Sequence, residues 1–174
     1  MRELKNCEYF VLVGDINTMH KKIDIKAYKD NERKAGFLPE ERVWLDLWFD
    51  KTGKKNIFSS YNNSKTLIEV YQGKTVIKYP LPETNELEGA GLGLYDVVRE
   101  KLGEEEIYSF WSWKGKAKEN YEKTVNYGRR IDYQIASESM YKSVISTPEI
   151  YGNEKVIFEE RWSDHAPVVV TYDL

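Results

Sequence analysis

Three stretches place polar groups where apolar runs begin or end. Gly14, Asp15 and Asn17 follow "YFVLV" at 9–13, Asp132 sits inside "RIDYQIAS", and Ser163, Asp164 and His165 precede "APVVV". Runs of this kind read as strands, and strand ends lying side by side in a sheet gather their polar residues into one pocket. Carboxylates and an amide, with no thiolate nearby, suit a hard, oxygen-seeking ion such as Mg²⁺, which keeps waters and grips phosphate oxygens. An aspartate beside a histidine fixes the imidazole tautomer and supports its protonated form. A remaining aspartate accepts a proton from an attacking water, and Gly14, lacking a side chain, lets a phosphate come close. Plainer readings stand beside these. Asp15 and Asn17 are good turn formers, an Asp–His pair before a strand is an ordinary surface feature, and His20, the other histidine, reads as a loop residue. Phe110, Trp111 and Trp113 read equally as core aromatics.

The elements that would position these groups follow from periodicity. Residues 9–13 form a continuous apolar run stopped by Gly14, the pattern of a central strand buried on both faces. Residues 20–37 are charged and turn-like. "LPEERVWLDLWF" predicts a helix, with Pro39 in its first turn and Glu40 and Glu41 at the positive end of its dipole; Val43, Trp44, Leu47 and Trp48 supply its apolar face. "TLIEVYQGKTVIKYP" predicts a hairpin turning at Gln72–Gly73. A short helix is expected over "LGLYDVVREKL" and strands over "IYSFWSW", "RIDYQIAS", 141–146, 155–160 and "APVVVTYDL", with Ile131, Tyr133 and Ile135 on one face. The fold class is therefore α/β (α+β): a mixed β-sheet with helices on one side and an inserted hairpin.

With 174 residues the chain makes one domain with a real core. The net charge is −3, which excludes a uniformly basic nucleic-acid-coating protein, but the charge is uneven. Six Lys or Arg face three Asp or Glu over 21–34, and six face two over 114–130, so two basic loops flank an acidic 83–106. Such loops hold a polyanion or are simply solvated. Cys7 is the only cysteine, so no intrachain disulfide forms and a reducing compartment is expected. No apolar stretch reaches the ~18 residues of a membrane span.

Six stretches, in order, resemble one family: "GDINT…HKKIDI", "GFLPEERVWLD", "GLYDVVRE", "YSFWSW", "NYGRRIDYQIAS" and "SDHAPVVV" are similar to the exonuclease III / apurinic-apyrimidinic endonuclease family of the endonuclease/exonuclease/phosphatase fold. The resemblance covers most of the chain outside about 52–91. It implies Mg²⁺-dependent (or Mn²⁺-dependent) phosphodiester hydrolysis in DNA repair, cleaving 5′ to abasic sites or removing nucleotides or blocked ends from 3′ termini. It also implies a cytoplasmic, nucleoid-associated location, or a nuclear one in a eukaryote.

Position by position, Asp15 resembles the aspartate that orients the attacking water. Asn17 resembles the phosphate-binding asparagine that helps hold it. Asp132 resembles the residue that orients the histidine, and His165 the donor to the scissile phosphate. Asp164, with Asp15, resembles the metal-binding carboxylates. Asn126 resembles a phosphate contact, and Phe110, Trp111 and Ile131 the apolar pocket that receives a flipped-out abasic sugar. Arg129 departs from the bulky apolar residue of many relatives and is expected to grip a phosphate. Lys21, Lys22 and Arg33, with Lys116 and Lys118, are expected to contact backbone phosphates.

A first strand with an asparagine, a metal-binding glutamate and a pocket tyrosine have no counterpart in the 174 residues. Residues 1–174 thus resemble the C-terminal half of the family domain, one sheet of a two-sheet α/β sandwich with an insertion at about 52–91. The open sheet face is expected to be covered by the first sheet, supplied by the rest of a longer protein of which this chain is a fragment, by a partner chain or by a second copy, and double-stranded DNA is the expected substrate. Rival readings are a same-fold phosphodiesterase acting on RNA or on a phospholipid or inositol head group, and a catalytically inactive interaction fragment.

Overall fold

The computed structural model of the chain describes residues 7–32, 34–51, 66–71, 74–80, 91–112, 128–151 and 162–174. Strand β1 (Val11–Asp15) runs antiparallel to β5 (Asp132–Ala136), and β5 pairs on its other side with the short β4 (Tyr95–Asp96), giving the order β1-β5-β4. The central strand is therefore β5, with Tyr133, Gln134, Ile135 and Ala136 all buried. This corrects the sequence expectation for β1, which lies at the sheet edge among the described residues and leaves Val13 63% exposed. An apolar run signals burial only when both faces are covered; here Val11 and Leu12 pack on the core, while among the described residues one edge of β1 is unpaired and Val13 stands clear.

Helix α2 (Pro39–Phe49) covers the sheet. Its start is set by Pro39 and by Glu41, whose carboxylate accepts the free Leu38 N–H at 2.8 Å. Leu45, Trp48 and Phe49, spaced i, i+3 and i+4, pack with Leu94 on Tyr133 and Ile135. The apolar stripe is rotated from the expected one, so that Trp44 stays 57% exposed while Leu45 is buried. Before α2 come a 3₁₀ turn (Lys22–Asp24) and the one-turn α1 (Tyr28–Asn31). Hairpin strands β2 (Thr66–Tyr71) and β3 (Lys74–Pro80) pair antiparallel as the pattern predicts; the Gln72–Gly73 turn lies outside the described residues.

Helix α3 (Val97–Leu102) is capped by Asp96, which accepts from the Arg99 N–H at 3.2 Å, and α4 (Glu138–Lys142) is capped by Ser137. The strand expected over 141–146 is thus corrected. The Ser137 cap and Glu138 in the first turn start a helix there, and only Val144 makes a one-residue bridge, to Tyr172. "IYSFWSW" likewise forms no strand within its described part; Phe110 alone bridges, to Arg129 and to His165. The strand expected over 155–160 lies outside the described residues. The last strand shortens to β7 (Val168–Val169), paired with β6 (Glu149–Ile150). All described strand pairs are antiparallel, so the mixed sheet narrows to antiparallel sheets with helices in an α/β fold. No helix among the described residues is long and apolar enough to cross a membrane.

Four charged side chains are buried together. Asp24 Oδ1 accepts from Arg99 Nη2 at 2.6 Å and Arg130 Nε at 2.8 Å, and Arg130 also forks onto Asp96 at 3.0 and 2.6 Å. Burial alone would push the Asp24 carboxyl up; Arg130 and Arg99 outweigh it and pull it down to about 2. The cluster ties the 3₁₀ turn, α3 and the segment entering β5 into one unit, helped by the Arg130 N–H donating to the Asp24 carbonyl at 2.8 Å.

Candidate active site

The β1–β5 register sets Asp15 directly opposite Asp132 at one end of the sheet. Side chains opposite each other on such a pair share a face. His165 reaches the same end from the segment before β7, where its bridge to Phe110 holds the backbone. Its Nδ1 lies 3.0 Å from Asp132 Oδ2 and its Nε2 3.9 Å from Asp15 Oδ2. The His165, Asp15 and Asp132 side chains are 33%, 30% and 21% exposed, so the cluster opens to solvent.

Asn17 closes the first side of the site. Its φ of +52° is in the left-handed region, which asparagine tolerates better than most residues. That turn lets its backbone N–H and its side-chain amide both donate to Asp15, at 2.7 and 3.0 Å, one to each carboxylate oxygen. Gly36 holds the turn from behind: a Cβ there, at φ +88°, would stand 2.7 Å from the Asn17 carbonyl oxygen. The Tyr133 hydroxyl donates to the Thr18 carbonyl at 2.9 Å, tying the loop to β5.

Sequence reasoning missed Ser109. Fully buried, its hydroxyl accepts from the Ile131 and Asp132 N–H groups at 3.2 and 3.1 Å, and its carbonyl accepts from the Ala166 N–H at 2.7 Å. One residue therefore fixes the spacing between the Asp132 and His165 backbones. A serine inside the aromatic run "YSFWS" was the available signal.

The remaining expected site residues fall in several places. Asp164 is half-buried, and its carbonyl accepts from the Trp111 N–H at 2.8 Å. Phe110 touches the His165 ring edge-on, with centroids 5.0 Å apart, and packs with Ile131 on Phe37 and Ile25. Trp111 is 4% exposed and belongs to a different cluster, with Tyr108 and Ala166. Lys21 and Lys22 are exposed, 3.8 Å from Glu104 and Glu32 respectively. Arg33, Lys116, Lys118 and Asn126 lie outside the described residues. His20 is paired with Asp46 at 2.7 Å and is 9% exposed, a link between the loop after β1 and α2. A cavity of about 510 Å³ lined by Phe10, Lys51, Leu94, Tyr95 and Ser137 takes in no member of the site.

Among the described residues no three His, Cys, Asp or Glu side chains converge as metal ligands. The expected donors, Asp15 in the cluster and Asp164 one residue before His165, are hard oxygens. They fit an ion that needs only one or two carboxylates, keeps its waters and takes its other ligands from a bound phosphate.

No protein-family model matches the chain. It is 24% identical over all of its length to a DNA-(apurinic or apyrimidinic site) endonuclease of Dictyostelium discoideum, covering 34% of that protein. It is 26% identical over 95% of its length to an exodeoxyribonuclease of Bacillus subtilis, covering 45% of that one. Among solved structures it is similar to the 3′-5′ exonuclease NExo of Neisseria meningitidis (TM-score 0.61, 20% identity, 99% of this chain and 48% of that one). An AP endonuclease of Archaeoglobus fulgidus superposes with TM-score 0.59 at 18% identity, over 99% of this chain and 50% of that one. The chain thus spans about half or less of the length of the proteins it matches. It has the fold of the exonuclease III/AP endonuclease proteins, and its likeness is to their C-terminal portion.

Proposed function

We propose that the chain carries the phosphate-gripping side of a DNA-repair phosphodiesterase of the AP endonuclease/exonuclease type. The observation that carries this reading is the orientation of His165. With Nδ1 donating to Asp132, its Nε2 faces Asp15 across 3.9 Å, and an oxygen atom between them lies within hydrogen-bond reach of both. In the protonated form Nε2 donates to a phosphate oxygen as negative charge builds there. Asp15 keeps an acceptor position on each oxygen beyond the bond from Asn17 and takes the proton of an attacking water. The water oxygen then bonds to phosphorus, the bond from phosphorus to the leaving sugar oxygen breaks, and that oxygen gains a proton from solvent. A divalent ion, Mg²⁺ or Mn²⁺, held by Asp15 and Asp164 would supply positive charge at the phosphate.

The substrates of this reading are DNA with abasic sites and DNA 3′ ends. It extends to a cover: Tyr9, Val13, Ile145 and Tyr151 are more than half exposed, which supports a further β-sheet packing on this chain and completing the site. The test is hydrolysis by the purified chain of labelled abasic DNA, RNA and an inositol phosphodiester, each with Mg²⁺ and with EDTA. Mg²⁺-dependent cleavage of DNA alone is expected, at a trace level while the covering sheet is absent; cleavage only of RNA or of the inositol substrate, or undiminished cleavage in EDTA, contradicts the reading.

A further inference from the structure

Phosphodiester hydrolysis at His165 leaves open which neighbouring part of the substrate the protein grips. Ile25, Arg129, Phe110 and His165 are joined by consecutive one-residue antiparallel bridges, Ile25 to Arg129, Arg129 to Phe110 and Phe110 to His165. Directly opposed residues present their side chains on one face, so Arg129, Phe110 and His165 stand in a row. The Arg129 guanidinium carbon is 6.0 Å from the Phe110 ring centroid, and the His165 ring meets that ring 5.0 Å away. Arg129 is thus the next cationic side chain along the row, two strand spacings or roughly 10 Å from His165.

Nothing among the described residues neutralises it. Arg130, its neighbour, is matched by Asp24 and Asp96, and Arg99 by Asp24. Asp132 is engaged by His165. No carboxylate of the described residues lies within ion-pair reach of Arg129, although it is half-buried. Burial lowers its pKa below the usual arginine value, as expected where water is removed and no counter-charge replaces it. The Phe110 ring, at 6.0 Å, is at the limit of a cation–π contact and is weak compensation. A planar fork of donors held this way matches the oxygens of a phosphate.

Resting on the phosphodiesterase reading, we infer that Arg129 seats a second phosphate of the substrate strand, one that flanks the phosphate held at His165. Selection at this position is then for a continuous, charged nucleic-acid strand laid across the Phe110 ring. An uncharged sugar lodged beside Arg129 would leave the guanidinium without its anion.

The test is binding of short labelled DNA strands, each with one phosphate replaced by an uncharged methylphosphonate, measured by fluorescence anisotropy in EDTA so that no cleavage occurs. One flanking replacement is expected to weaken binding to the wild-type chain roughly tenfold, the scale of one charge-assisted hydrogen bond. Arg129→Gln should weaken the unmodified strand by the same factor, and the critical methylphosphonate should cost this variant nothing further. Arg129→Lys should recover part of the affinity, which a folding defect would not allow. Equal penalties at every methylphosphonate for the wild-type and Gln forms would overturn the role of Arg129 while leaving the phosphodiesterase reading in place. A wild-type chain that binds no DNA strand would overturn both.

Discussion

Asp24→Asn tests the buried charge cluster through its pH dependence. At neutral pH the variant removes one negative charge from between two buried guanidinium groups and leaves them facing a neutral amide. Breaking a buried pair in this way costs about 3–5 kcal/mol, a large share of the ~5–15 kcal/mol that holds a typical domain folded. The carboxyl pKa is depressed from the ordinary 3.8 to about 2. A depressed carboxyl contributes stability that is fully present above its unfolded pKa and is lost as pH falls through the folded value. The window therefore runs from about pH 4 down to about pH 2. At about 1.4 kcal/mol per pKa unit, the charge-linked part is on the order of 2 kcal/mol. Urea unfolding followed by tryptophan fluorescence, at about pH 7 and again near pH 3, reads it directly. The stability gap between wild type and Asp24→Asn should be widest at neutral pH and should narrow towards pH 3. A gap that stayed constant or widened on acidification would refute the reasoning.

Other outcomes follow from particular contacts. Gly36→Ala should destabilise the chain by about 1–2 kcal/mol, since alanine resists this φ, and should lower turnover by displacing Asn17; unchanged denaturation and kinetics would contradict the role of Gly36. His165→Ala and Asp132→Asn should each cut turnover roughly 10²–10³-fold, and the double variant should lose far less than their product, since both act through one hydrogen-bonded pair. Independent, multiplying losses would argue that the two residues act separately. The purified chain should bind a hydrophobic dye or run as more than one copy in gel filtration, given Val13, Tyr9 and Ile145 at 63–66% exposure; a dye-silent monomer would remove the inferred cover.

Much of the site was legible because its signals are short-range. Asp15 and Asn17 sit two residues apart in one turn, and Asp132 begins a strand that continues through Tyr133 and Ile135 to Ala136. Helix α2 was legible from Pro39 and the spacing after it. What escaped reading depends on partners far along the chain. Arg130 counted as one more cation in a basic loop, yet it is fully buried against Asp24, 106 residues away. Ser109 is marked locally only as a serine inside an aromatic run; its role depends on Asp132, which folds back onto it from 23 residues downstream. The edge position of β1 was hidden for the converse reason, because an apolar run records that a face is suited to burial and not what buries it.

The central claim is that the strand-end cluster of Asp15, Asn17, Asp132 and His165 performs phosphodiester cleavage. The most direct measurement is incision of an end-labelled duplex with a single abasic site, by wild type and His165→Ala in parallel with Mg²⁺ present. The account expects wild-type product above the protein-free control and a loss of roughly 10²–10³-fold in the variant, the scale of one transition-state donor removed. Equal incision by the two proteins, or none by a wild-type chain whose covering sheet is in place, would contradict it.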